Sequence, residues 1–63
     1  MISREKLISK EFYHIEPFPN EFFVGMWNGR WFYYTDLDKR VQVVAYDDVL
    51  SISEYTKEVD LND

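Results

Sequence analysis

Three largely apolar runs, FFVGMW, RWFYY and VQVVAY, fill the chain between Phe22 and Tyr46, separated by Asn28-Gly29 and by Asp36-Leu37-Asp38-Lys39. An Asn-Gly pair between apolar runs predicts a β-hairpin, because a type I′ turn needs positive φ at both central residues. With Asn28 and Gly29 as the loop, Trp27 faces Arg30, Met26 faces Trp31 and Gly25 faces Phe32. Strand side chains alternate between faces. One surface then carries Phe23, Gly25, Trp27, Phe32 and Tyr34, and the other carries Phe22, Val24, Met26, Trp31 and Tyr33. Gly25 opposite Phe32 leaves room for a ring over bare backbone. Residues 40–46 predict a third strand. Placing Thr35 opposite Arg40 adds Val41, Val43 and Ala45 to the first surface and Gln42, Val44 and Tyr46 to the second. Gln42 is the plainly polar side chain of that run, so the second surface is assigned to the outside and the first to the core. A one-residue slip would exchange them.

The flanking segments carry weaker patterns. Residues 2–10 predict a short helix with Ser3 as N-cap and Lys6, rather than an acid, at the capping-box position; a β reading of Lys6–Ser9 is the alternative. Residues 11–16 predict a strand with Phe12, His14 and Glu16 on one face and Tyr13 and Ile15 on the other. Pro17-Phe18-Pro19-Asn20 reads as a loop, since proline has no N–H and restricts its predecessor. Residues 47–55 read as a strand, from the alternation of Leu50 and Ile52 with serines, or as a helix capped by Asp47 or Asp48. Residues 56–63 predict an acidic, frayed tail. The expectation is a single small domain over 1–63, with the helix at 2–10 and strands within 11–55. It is mainly β, a small antiparallel meander of four to five strands.

Composition narrows the classes. A 63-residue chain is marginal by size alone, and without cysteine it has neither a disulfide nor a thiolate metal site. An aromatic content of 19% supplies large buried area per residue, and association into a homo-oligomer is the other usual source of stability. No apolar run approaches the ~20 residues of a membrane span, and the N-terminus lacks the unbroken apolar stretch of a signal peptide. The expected setting is cytoplasmic, or the host cytoplasm for a phage-encoded chain. The net charge of −5 is concentrated toward the end, where residues 41–63 carry Lys57 against Asp47, Asp48, Glu54, Glu58, Asp60 and Asp63. Direct nucleic-acid binding normally needs a basic stripe, and this chain has none. The acidic end suits a basic partner surface.

In its element order the chain resembles small SH3-like and Sm-like β-barrels. The segment WNGRWFYY…VQVVAYDDV is also similar in layout to Tudor-type domains. That likeness implies a cation-binding aromatic cage built from Trp27, Phe32, Tyr34, Tyr46 and Asp47, although Asp48 stands where those domains usually have glycine. The segment NGRWFYYTDLDK resembles the middle of WW domains, but no Trp and Pro follow at the distance a proline-binding groove needs.

No catalytic chemistry is indicated. His14 is the sole imidazole and no nucleophile motif surrounds any serine or threonine. Glycine is limited to Gly25 and Gly29, too few for a phosphate-cradling loop. Asp36 and Asp38 read as turn residues, because the Gly and Glu of a calcium loop are missing. No cofactor or metal is implied. The aromatics are too many for one face of a small barrel. Phe22, Met26, Trp31, Tyr33 and Tyr46 are therefore expected to form an apolar patch for another protein chain, with Asp47, Asp48 and Glu54 steering a basic partner. Alternatively, the N-terminal helix covers that patch. The expected function is a non-enzymatic protein-interaction module, for instance a phage or bacterial accessory or inhibitor protein. The alternative is an aromatic groove for a small ligand, a modified peptide or a single strand.

Overall fold

The computed structural model describes residues 1–56. From residue 57 onward the expected acidic tail lies outside the described residues. Five antiparallel strands form one sheet: β1 (Phe12–Phe18), β2 (Glu21–Trp27), β3 (Trp31–Thr35), β4 (Val41–Ala45) and β5 (Ile52–Glu54). Their order across the sheet is β4-β3-β2-β1-β5. The mainly β expectation is met, and β5 resolves the strand-or-helix choice at 47–55 in favour of strand after a 3-10 turn at Tyr46–Asp48.

The expected N-terminal helix is replaced by a single 3-10 turn at Arg4–Lys6. The Ser3 side chain makes no capping bond, and so short a segment cannot offset helix nucleation. What holds it is tertiary. Leu7 is buried, Lys10 takes φ 74°, and its N–H reaches the Trp27 carbonyl at 2.6 Å. The segment docks beside β2 instead of forming a helix.

β1 runs further than the pattern suggests, through Pro17 to Phe18. A register shift between Ile15 and Phe18 absorbs the prolyl residue. Asn20 turns the chain at φ 64°, with its N–H on Glu16 Oε2 at 2.8 Å. The other oxygen of Glu16 accepts the Ser51 hydroxyl at 2.9 Å, tying this turn to the approach to β5.

Both central registers differ from the expected ones, with opposite consequences. Trp27 pairs with Phe32 and Gly25 with Tyr34, a shift of two residues. Asn28 does not enter the left-handed region; Gly29 does, at φ 97°. Asn28 Oδ1 instead accepts the N–H groups of Arg30 and Trp31, both at 2.8 Å, so the loop moves to Gly29-Arg30. A shift of two preserves side-chain parity, and every face assignment in β2 and β3 survives. Between β3 and β4 the slip is one residue, with Thr35 opposite Val41. Asp36 Oδ1 accepts the N–H groups of Asp38 and Arg40 at 2.9 Å, and Lys39 takes φ 65°. Asp36 itself pairs with Arg40, leaving a three-residue loop at 37–39 where the four residues 36–39 had been expected to form the turn. Odd parity exchanges the faces of β4. Gln42 and Val44 lie on the Phe32/Tyr34 side, while Val41, Val43 and Ala45 lie outside. Gln42 on the inner side is accommodated because its amide donates to Asp36 Oδ2 at 2.9 Å.

The core sits on that inner face. Ile15 and Phe32 are fully buried, joined by Tyr13, Trp27, Tyr34 and Ile52 of the strands and by Leu7 and Val49 from the segments that cover them. Trp27 and Phe32 are stacked at a tilt, 4.8 Å between centroids, and Tyr13 meets Phe32 edge-on at 6.3 Å. Both geometries suit aromatic quadrupoles. The cover is pinned by polar handles: Ile8 N–H donates to the Tyr13 hydroxyl at 2.8 Å, and the Tyr46 hydroxyl donates to the Ile2 carbonyl at 2.7 Å.

Asp36 makes fold stability depend on pH. The Arg40 N–H, then the Gln42 amide and the Asp38 N–H, hold its carboxyl below the ordinary value of 3.8, against a smaller upward push from desolvation. A depressed folded value stabilises the native state above 3.8, and that contribution is lost as pH falls through the folded value. Asp36→Asn is therefore expected to lower the urea midpoint at neutral pH, with the gap to wild type narrowing in acid. A gap that stays constant down to about pH 2.5 would refute the assignment.

Candidate interaction face

The opposite, outer face is built by the other parity. Met26 stands directly across from Tyr33, and Tyr33 across from Val43. Phe12 lies across from Met26 and His14 across from Val24. Phe22 is 62% exposed, Val41 69% and Val43 53%; Phe12 and Val24 are exposed, and Met26, Trp31 and Tyr33 are half-buried. Tyr55, just past β5, contacts the His14 ring at 5.1 Å and Phe12 at 6.5 Å. Apolar side chains thus run across the outer face from β4 through β3 and β2 to Phe12 of β1, with Tyr55 beside them. The N-terminal segment does not cover it, because Ile2 and Leu7 pack on the inner side.

Of the residues expected at a contact site, Phe22, Met26, Trp31 and Tyr33 share this face. The Arg30 guanidinium lies 5.5 Å from the Trp31 ring. The Trp31 indole N–H is shielded from solvent and meets no acceptor among the described residues. Tyr46 belongs elsewhere: the one-residue slip sends it inward, edge-on to Trp27 at 6.4 Å. The acidic residues are also dispersed. Asp47 and Asp48 occupy the turn after β4, while Glu54 is on β5 at the other edge of the sheet. Sequence reasoning does not single out Phe12, His14, Val41, Val43 or Tyr55 for contact. Phe12 and His14 carry the right alternation, but only the β1–β2 pairing shows which face they join.

The rings implied by the Tudor likeness do not line an open cage. Trp27, Phe32 and Tyr34 are buried in the core. Arg4 of the same chain lies over the Tyr46 ring at 5.2 Å and reaches Asp47 at 3.9 Å, so a cation already occupies that corner. A separate groove of about 360 Å³ opens between the β1–β2 and β3–β4 turns, with Phe18, Phe23 and Tyr34 as walls and Glu21, Asp36 and Asp38 at its rim. Burial, then Asp36 and Glu21, raise the Tyr34 phenol above its ordinary value of 10.0. Such an acidic rim repels phosphate.

Among the described residues no group of His, Asp and Glu is arranged to hold a metal ion, and no helix is long and apolar enough to cross a membrane. No family model, no curated protein and no solved structure matches this chain.

Proposed function

We propose that this chain is a non-enzymatic protein-interaction module that receives a protein partner on the outer face of its sheet. The observation that carries the reading is the direction in which the chain folds over itself. Among the described residues the cover goes to the inner face, and an aromatic and aliphatic surface from Phe12 to Val43 is left exposed. Grouped exposed apolar side chains mark contact sites, and Trp, Tyr and Met are the side chains enriched where partners are buried. The net charge of −5 favours a partner with a basic surface and speeds its approach. The dispersal of Asp47, Asp48 and Glu54 makes this a long-range field rather than a set of paired contacts. An SH3-like or Sm-like barrel is the fold assignment this reading adopts, supported by five short antiparallel strands and a 3-10 turn leading into the last. An accessory or inhibitor protein is the biological role it suits.

The test is affinity capture from the native host lysate with wild type, Trp31→Ala and Leu37→Ala. Leu37 is highly exposed on the β3–β4 loop, away from the face. Trp31→Ala is expected to lose the partner, with a cost of about 2 kcal/mol or more, roughly 30-fold in affinity. Leu37→Ala is expected to retain it. Equal retention by all three proteins would remove the proposal.

A further inference from the structure

We propose that two copies of this chain pair through β4, edge to edge and antiparallel, about a two-fold axis at Val43. β4 is a terminal strand of the sheet. The Asp36 N–H donates to the Arg40 carbonyl at 2.9 Å. Hydrogen-bonded and non-bonded pairs alternate along an antiparallel ladder, so Gln42 and Val44 direct their backbone groups toward β3. The Asn28 N–H on the Trp31 carbonyl at 3.1 Å gives the matching phase on the other side of β3. Val41, Val43 and Ala45 therefore point their N–H and C=O groups away from the sheet.

Exposed edges are normally blunted by lysine, proline, a bulge or a covering segment. Between Val41 and Ala45 there is no charge and no proline, the pairing with β3 is unbroken, and all three outward-directed residues are exposed. The other edge is treated differently. β5 has only three residues, Ile52–Glu54, and the Ile52 carbonyl accepts the Ile2 N–H at 3.4 Å. Among the described residues the N-terminal segment meets the β5 edge and nothing bonds the outward groups of β4, so a head-to-tail array is disfavoured and a two-fold pairing is favoured.

Pairing about Val43 matches backbone to backbone. Val43 meets Val43 of the partner subunit, Val41 meets the partner's Ala45, and Ala45 meets the partner's Val41, each as a hydrogen-bonded pair. Parity is kept, so the outer faces of both sheets become one surface. The charges at the strand ends also match. Lys39 and Arg40 precede β4 and Asp47 and Asp48 follow it. Antiparallel pairing brings the basic end of each copy toward the acidic end of the other. The Asp47 side chain is 85% exposed beside Arg4, so it remains open to a second cation. This inference goes beyond the partner-binding proposal, because it rests on the main chain of one edge rather than on the side chains of the face.

Sedimentation equilibrium and amide hydrogen exchange on the full chain test it. A dimer is expected, in which the Val41, Val43 and Ala45 amides become protected as protein concentration rises, while Gln42 and Val44 are protected throughout. Val43→Lys places like charges directly opposite one another across the axis and is expected to raise the dimer dissociation constant at least about tenfold, with the far-ultraviolet circular dichroism unchanged. If that variant does not fold, the wild-type exchange data decide alone. A monomer at about 1 mM, an assembly larger than a dimer, protection of the three amides independent of concentration, or a folded Val43→Lys that dimerises like wild type would each overturn the pairing.

Discussion

Phe32→Ala is expected to leave the protein largely unfolded at 25 °C. Phe32 has no solvent exposure, and its ring lies between Trp27 and Tyr13 with Val44 across the strand pair. Truncating a buried phenylalanine costs ~3–5 kcal/mol, from lost transfer free energy and the cavity left behind. A domain of this size without disulfides holds only ~3–5 kcal/mol in total. The two quantities are equal within their spread, so the native population collapses. Tyr33→Ala is the control. It is the next residue, on the same strand, and changes a ring of similar size on the outer face. Its expected cost is about 1 kcal/mol. Urea titrations of the two variants beside wild type separate the faces, and a larger loss for Tyr33→Ala than for Phe32→Ala would invert the inside and outside of the sheet.

That inside–outside assignment shows what the sequence makes legible. In β2 and β3 it can be read from alternation alone, even though the hairpin register is two residues away from the one the Asn-Gly pair suggests. Asn28 can satisfy a turn with its side-chain oxygen as well as by adopting positive φ, and the dipeptide does not say which. Because the error is even, Phe22, Met26, Trp31 and Tyr33 stay together. In β4 the error is odd. Asp36 joins the ladder opposite Arg40, which shortens the loop from four residues to three, with Lys39 in the left-handed region and Asp36 Oδ1 bonding two N–H groups. Lysine carries no signal for that conformation, and a lone Gln42 on a strand is a weak marker of an outer face when an aspartate stands ready to accept its amide. Tyr46 follows β4 inward for the same reason.

The N-terminal segment is misread for a different reason. Its apolar residues are spaced neither for a helix nor for a strand, because they serve a docking path: Ile2 toward Ile52 and Tyr46, Leu7 into the core. Tertiary contacts of that kind leave no period in a sequence. They also decide which face of the sheet stays open, so the contact surface becomes visible only once the path of residues 1–10 is known.

Gly25→Ala is the second large effect, and it tests the packing at the centre of the sheet. The sequence places this glycine opposite Phe32, with a ring over bare backbone. In the fold it lies between Tyr13 and Tyr34 on the neighbouring strands, and the space above it is filled by Ile15. A Cβ at position 25 would fall 2.7 Å from Ile15 Cδ1, 3.3 Å from Ile15 Cγ1 and 3.4 Å from the Tyr33 carbonyl oxygen. Ile15 is fully buried, so its δ-methyl has no open volume to move into. Overpacking of this kind costs ~1–3 kcal/mol. Gly25 does not have positive φ, so the substitution brings no backbone strain, and restricting the unfolded chain returns ~0.4–1 kcal/mol. The expected net loss is about 1–2 kcal/mol. Ile15→Val removes the clashing methyl at a cost of ~0.5–1.5 kcal/mol by itself. In that background Gly25→Ala should be close to neutral, which makes the two substitutions coupled by about 1 kcal/mol or more in a double-mutant cycle. Additive losses would mean that Ile15 does not fill the space above Gly25.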